Sequence, residues 1–328
     1  KCLTGESPAT IVLRSSGSEP VALTPEKAEP WSLSVAVPES LVPGEYELAV
    51  RHDVIVAARR VTISRQPQWK QDVFDVRDFG AVPADAKYLS WDTDPEKIGK
   101  VDSSEAIQRA LNAAGANGGG VVCLPRGGYL CTRPLNVPKF VTLRGAGRGL
   151  TGIEWTDCDP PRPTCIRGSS HFGVEDLSLY ALNHYAVISG NSGRFEDSGN
   201  VGIRRVLVRA DRFVTCESPR HYPNYKEIFE QRLNDHNRVA ALTFGGENIE
   251  IIDCDIYSSR LVLGLDKVSG RIAGNRFTAT PTHWSLFVRG VNRVIFEDNY
   301  SADGGASLSS VHHFPHFDEE GVRKSRAH

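Results

Sequence analysis

No stretch of this 328-residue chain reaches the roughly 18–20 consecutive apolar residues that a membrane-spanning helix needs, so a membrane span is excluded. A dominant charge is lacking too. With 38 Lys and Arg against 40 Asp and Glu, the formal net charge is -2, which excludes bulk attraction to nucleic acid or to a lipid surface. Any acidic partner must be met locally. Cysteine is sparse: seven residues are too few for a disulfide-built scaffold. Cys158 and Cys165 flank a proline-rich segment and can close a small surface loop, which suits an oxidising compartment, and unpaired buried thiols are the alternative. Cys254, in the strand pattern IIDCDIY, reads as core. Methionine is absent altogether, which is improbable at ordinary usage, so the spacings below are read as minimum values. No signal peptide is legible, although the expected location is secreted or periplasmic.

A phosphate cradle is also lacking. ANGGGVVCLPRGGYL (116–130) is rich in glycine, but no Lys-Ser or Lys-Thr pair follows, and VVCL reads as a strand where a P-loop needs a helix. GAGRG (145–149) lacks the spacing of a dinucleotide fingerprint, and no helix follows it.

What is present divides in two. Residues 1–66 read as an all-β unit, a small immunoglobulin-like β-sandwich, because TIVLRS, WSLSVAV, YELAVRH and RRVTISR alternate apolar and polar residues between Pro and Gly clusters. Residues 67–73 read as a linker. A helix is expected over 102–115, with Asp102 and Glu105 as a capping box and Ile107, Ala110, Leu111 and Ala114 as its buried stripe.

From about residue 140 the helical period disappears. A short unit recurs: Val174-Leu177-Leu179, Ile203-Val206-Val208, Ile251-Cys254-Ile256, Ile272-Asn275-Phe277 and Ile295-Asp298-Tyr300. Its later starts lie 272 − 251 = 21 and 295 − 272 = 23 residues apart, which is a solenoid period. Such coils stack at the ~4.8 Å strand spacing, with apolar ladders inside. Residues 211–237 are an insertion. On this view the helix covers the exposed end of the solenoid, and Gly118–Gly120 turn the chain into its first strand.

FDVRDFGAV (74–82), DSSEAIQRALNAA (102–114), GGGVVCLPRGGYL (118–130) and VTLRGAGRG (141–149) together resemble the start of the pectate-lyase-like superfamily. Its members are right-handed parallel β-helices that include polysaccharide lyases and polygalacturonase-like hydrolases. The resemblance implies such a helix over 74–328, capped by the α-helix. It also implies an acidic polysaccharide lying along one sheet, on the strands YAVISG, RVAALTF, RLVLGL and SLFVRG. Residues at or beside that wall are cationic and aromatic: His184, Tyr185, Tyr222, His283, Trp284 and Arg289 for binding, and Tyr225, Lys226, His236, Arg238 and Arg260 for chemistry.

That inventory suits β-elimination on a uronate-containing glycan. Arg238 and Arg260 would pair with the carboxylate, His236 or Lys226 would take the α-proton, and Tyr225 would protonate the leaving oxygen. The rival is hydrolysis by paired carboxylates, for which Asp253 and Asp255 are the best local pair, with Asp266 and Asp303 nearer the wall. A non-catalytic glycan-binding β-helix is the third reading. The sequence specifies no cofactor, and a divalent cation such as calcium, common among the pectate lyases, is the candidate that the resemblance implies. His312, His313, His316 and Asp318 lie together near the carboxy terminus and read more simply as a polar tail than as a metal site.

Overall fold

The computed structural model describes residues 10–15, 17, 19–29, 32–52, 54–63, 69–84, 102–155, 162–182, 184–190, 199–211, 240–259, 261–279, 286–289, 294–303 and 311–313. Contacts divide the chain between Gln68 and Trp69. In the first unit the strands are β1 (Thr10–Arg14), β2 (Val21–Leu23), β3 (Pro25–Glu29), β4 (Ser32–Val35), β5 (Gly44–His52) and β6 (Val54–Ile63). Alternation in the apolar segments sends Ile11, Leu13, Leu23 and Tyr46 to one buried cluster. Among the described residues this unit is an antiparallel sheet, β2-β1-β5-β6, and a separate ribbon, β3-β4.

Residues 69–72, expected as linker, already belong to the second unit. Lys70 Nζ donates to the Asn117 carbonyl, the Asp72 carbonyl accepts from Val121 N at 2.8 Å, and Trp69 meets the Phe140 ring edge-on. Strand β7 (Val73–Asp75) follows, and then helix α1 (Ser104–Ala116). Ile107, Ala110, Leu111 and Ala114 are fully buried, and Ile107 and Leu111 each contribute about 1.5–3 kcal/mol of burial. The capping box is corrected. Asp102 accepts from Ser104 N at 2.9 Å and also from Thr132 N and Oγ1, tying the helix start to the first coil, whereas Glu105 pairs with Arg109 and Arg133. Burial opposes ionisation of Asp102, but these hydrogen bonds outweigh it and hold the carboxyl below its ordinary range.

Three strands then repeat. The first coil is β8 (Gly120–Leu124), β9 (Gly127–Cys131) and β10 (Leu135–Val137); the second is β11 (Val141–Gly145), β12 (Thr151–Trp155) and β13 (Arg162–Gly168). The third is β14 (Ser170–Glu175), β15 (Ser178–Leu182) and β16 (His184–Ser189). β17 (Gly199–Arg204), β18 (Leu207–Asp211), β19 (Leu242–Ile252), β20 (Asp255–Ser258), β21 (Leu263–Ala273), β22 (Arg276–Ala279) and β23 (Leu286–Arg289) continue the pattern, and β24 (Val294–Glu297), β25 (Tyr300–Asp303) and β26 (Val311–His313) end it. Every strand pairs in parallel with its equivalents in adjacent coils. The result is a parallel β-helix with three faces. β19 and β21 each run through the corner between the third and first faces, so these two form one sheet, while the second face, β9-β12-β15-β18-β20-β22-β25, is separate.

Inside, Leu143, Val174, Ile203, Ile251 and Ile272 stack in register, all nearly inaccessible. At the corner after the first face, Leu177, Val206, Cys254 and Asn275 occupy equivalent rungs. Asn275 donates to the Ile251 carbonyl at 2.7 Å and accepts from Cys254 N at 2.9 Å, and Asn299 repeats the pattern one coil on. This ladder corrects the last unit. Ile272 registers with Phe296, and Phe277 with Ser301, so the turn residue is Asn299 rather than Asp298.

The glycines of the opening turn are sterically required. Gly119 has φ +132, and a Cβ there would sit 2.8 Å from the Phe140 carbonyl oxygen.

Candidate functional site

The third face carries the strands on which the polysaccharide wall was expected. Its inward row, Leu135, Ile166, Ile188, Leu242 and Leu263, is in continuous register, and the backbone of Leu286 and Val311 continues that register. The neighbouring outward row is Asn136, Arg167, Ser189, Thr243 and Gly264, with the backbone of Phe287 and His312 next in register. Asn136 and Arg167 are exposed and Ser189 and Thr243 are half-buried, whereas Gly264 is buried, with the Ala240 side chain 3.3 Å from where its Cβ would stand. Thr243 Oγ1 accepts from Ala240 N at 3.1 Å and donates to its carbonyl at 3.2 Å, which fixes the chain as it enters the rung. Asp266 stands farther along the same face, registered with Gly245 on one side and Arg289 on the other.

Each rung is entered from a connection that leaves the second face. The connections 212–239, 259–262 and 280–285 lead to Leu242, Leu263 and Leu286, three residues on consecutive rungs. These connections contain Tyr222, Tyr225, Lys226, His236, Arg238, Arg260, His283 and Trp284. All eight lie outside the described residues. Arg289 has its backbone in β23, and its side chain is likewise outside them. Two predicted side chains are described. Tyr185 is half-buried, whereas His184 is 1% exposed and registers with the buried Arg162, so its ring lies beneath the surface rather than on a wall. Arg167, which sequence reasoning passed over, is the exposed cation in the described outward row. Its position directly after the buried Ile166 was the available signal.

The carboxylates of the hydrolytic reading are dispersed. Asp253 sits at a corner with φ 54, and its carbonyl accepts from Arg148 at 3.0 Å. Asp255 begins a second-face strand and pairs with Arg209 at 3.1 Å. The first face is charged but self-neutralised. Arg144 and Arg205 both pair with Glu175, Arg205 also holds Asp176 at 2.6 Å, Arg204 pairs with Glu250, and Arg271 with Glu297. The Arg205 guanidinium keeps the Asp176 carboxyl below the usual range. Such paired charges leave little field for a polyanion.

Cys131 and Cys254 are buried, and burial pushes both thiols up, Cys254 to about 12, so neither is a ready nucleophile. Cys165 is buried as well, and its proposed partner Cys158 lies outside the described residues. Among the described residues no three His, Cys, Asp or Glu side chains converge to hold a metal ion, so they form no calcium cage. Among them, too, no helix is long and apolar enough to cross a membrane.

A helix-led parallel coil with three strands per turn defines the class, and the chain belongs to the pectate-lyase-like superfamily of parallel β-helix proteins. Within it, residues 73–158 match the family described as rhamnogalacturonase A/epimerase, pectate lyase-like. Mannuronan C5-epimerase AlgE6 of Azotobacter vinelandii is 32% identical over 157 residues, 42% of this chain and 16% of that protein. Mannuronan C5-epimerase AlgE3 of the same organism is 34% identical over 119 residues, 32% of this chain and 6% of that protein. Its alginate lyase 7 is 31% identical over 119 residues, 32% of this chain and 12% of that protein. The chain thus spans less than a fifth of the length of these relatives.

Proposed function

We propose that this protein acts on a uronate-containing polysaccharide, outside the cytoplasm, by removing the proton on the carbon that bears the carboxylate. The observation that supports this reading is the register Leu242–Leu263–Leu286, on consecutive rungs of one face, because the three connections that end there contain between them Tyr222, Tyr225, Lys226, His236, Arg238, Arg260, His283 and Trp284. The right-handed sense of the coil and the immunoglobulin-like character of residues 1–66 belong to the same reading.

Roles follow from residue chemistry. Arg238 and Arg260 pair with the carboxylate, and this matters most when the C–H electron pair flows into it as the enolate forms. His236 or Lys226 accepts the proton. In β-elimination that electron pair then forms the C4=C5 double bond and the C4–O bond breaks. Tyr225 protonates the departing oxygen, leaving an unsaturated uronide and a new reducing end. Tyr185, Tyr222, His283, Trp284 and Arg289 bind the neighbouring sugars.

A second outcome shares the first step. If a proton returns to C5 from the opposite face, the sugar is epimerised and the chain stays intact. The names of the relatives, two C5-epimerases and an alginate lyase, favour keeping both outcomes on the same base. Hydrolysis by the pair Asp253 and Asp255 has less support, since both are engaged away from the third face.

Incubation in deuterium oxide with polymannuronate, polygalacturonate and a neutral glucan separates these readings. Unsaturated-uronide absorbance with new reducing ends identifies the lyase. Deuterium at C5 without new ends identifies the epimerase. New ends with neither would refute proton abstraction, and no product from any polymer would leave a binding protein. Arg238→Ala is expected to lower turnover about 100-fold; unchanged turnover removes it from the carboxylate.

A further inference from the structure

The second face has an outward surface that the proposed chemistry does not use. Its inward positions, Tyr129, Ile153, Leu179, Val208, Ile256 and Phe277, are completely buried and complete the core on that side. The outward positions are therefore free of core duty. One row runs Glu154, Tyr180, Arg209, Tyr257 and Thr278 on consecutive rungs, and the next row along the strands ends in Asp255, Arg276 and Tyr300.

We propose that this face is a second glycan-binding track, which holds an acidic sugar chain along the coil axis through Tyr180, Tyr257, Tyr300 and Arg276. The inference rests on the reading of the substrate as a uronate polymer.

Three observations carry it. Tyr180 and Tyr300 are 42% and 58% exposed, and Tyr257 between them is half-exposed. Single exposed aromatic residues are ordinary, whereas three on one face at alternate rungs are not. Two rungs span about 9.5 Å, the length of a 1,4-linked disaccharide, so Tyr180 and Tyr257 meet every second sugar of a chain laid along the axis. Tyr180 is also pre-placed. Its ring lies over Gly152, where a Cβ would approach it to 3.4 Å, so the absence of a side chain there lets the ring lie close to the sheet with its other side open.

Charge selects the ligand. Arg209 is neutralised by Asp255, but the Arg276 guanidinium lies 5.5 Å from the centre of the Tyr300 ring and has no carboxylate partner among the described residues. A cation beside a sugar-stacking ring suits a uronate, whose ring stacks while its carboxylate pairs. Glu154, the acid of the row, is half-buried and keeps its proton up to about pH 7, so below that pH it does not repel a polyanion as an ionised carboxylate would.

Affinity electrophoresis through gels containing polymannuronate, and separately a neutral glucan, tests the track. Removing one ring is expected to weaken binding to the acidic polymer about three- to tenfold, with Tyr180→Ala/Tyr300→Ala weaker than either single variant. Tyr180→Phe keeps the stacking surface and should bind as the parent does, and thermal unfolding checks that each variant is folded. Arg276→Ala should weaken binding to the acidic polymer only. Unchanged retardation of the double variant overturns the track, as does equal retardation of the parent by the neutral glucan. A parent that binds through these tyrosines yet forms no product contradicts the proposed function and leaves the track standing, whereas a parent that forms product with its binding insensitive to them does the reverse.

Discussion

Glu154→Gln tests the electrostatics of the second face most directly. The carboxyl projects from β12 beside Leu130, which is completely buried, and no described residue donates a hydrogen bond to it. Burial without compensation pushes its pKa up from 4.5 to about 7. The folded protein therefore holds a proton over a range in which the unfolded chain has released it. More protons are bound in the folded state, so the free energy of unfolding falls as pH rises from about 4.5 to about 7, then levels off. At about 1.4 kcal/mol per pKa unit the whole displacement amounts to about 3 kcal/mol. The carboxyl retains part of its contact with water, and screening brings this to about 1–2 kcal/mol. Glutamine keeps the shape and cannot ionise. Its variant should match the parent near pH 4.5 and exceed it by that amount at pH 8. Urea unfolding followed by tryptophan fluorescence at both pH values reads the difference, since Trp155 is buried on the opposite side of the same strand. A gap of equal size at both pH values would show that Glu154 ionises normally, and the account of its burial would fall.

Two further substitutions probe the coil itself. Asn275→Ala strips partners from Cys254 N and the Ile251 carbonyl, both interior, and should cost about 3 kcal/mol in urea unfolding; a loss below about 1 kcal/mol would mean that the ladder is dispensable. Gly119→Ala meets the Phe140 carbonyl in a backbone conformation closed to alanine and should cost about 2–3 kcal/mol. Gly149→Ala, at φ +77 with open space around it, should cost only about 1–2 kcal/mol, and the difference in melting temperature between the two variants reads the clash together with the less accessible backbone conformation at Gly119.

The coil was legible because its interior is a stack of equivalent positions. Val174, Ile203, Ile251 and Ile272 must be apolar to fill the same column, so their spacing survives in the sequence despite the long excursion at 212–239. Where two adjacent residues are both apolar, that signal fails. Ile295 and Phe296 compete for one column, and only the side-chain amide of Asn299, reaching the Ile272 carbonyl at 2.7 Å, decides for Phe296. The helix stripe was equally plain, whereas the capping box was misread because Asp102 and Glu105 fit its spacing while the helix starts one residue later than that reading needs, at Ser104 with Ser103 as its N-cap. Strands β2 and β3 escaped notice because VAL is too short and PEKAE too polar to show alternation on its own.

The sites were harder to read for a related reason. A catalytic or binding group on a solenoid makes no column of its own, because its neighbours on adjacent rungs are free to differ. Glu154, Tyr180, Arg209 and Tyr257 come from four segments far apart in the chain, and each looks like an ordinary outward residue in TGIEW, SLYAL, LVRAD or DIYS. Only strand register places them side by side. The same register can be recovered from the sequence by aligning the buried partners first, Ile153 with Leu179, Val208 and Ile256, and then reading one residue onward. On the third face that procedure, started from Ile166, Ile188, Leu242 and Leu263, returns Arg167, Ser189, Thr243 and Gly264, a row that runs from an exposed cation to a glycine covered by Ala240. The inward columns therefore carry the fold, and the residue beside each column carries whatever the coil does.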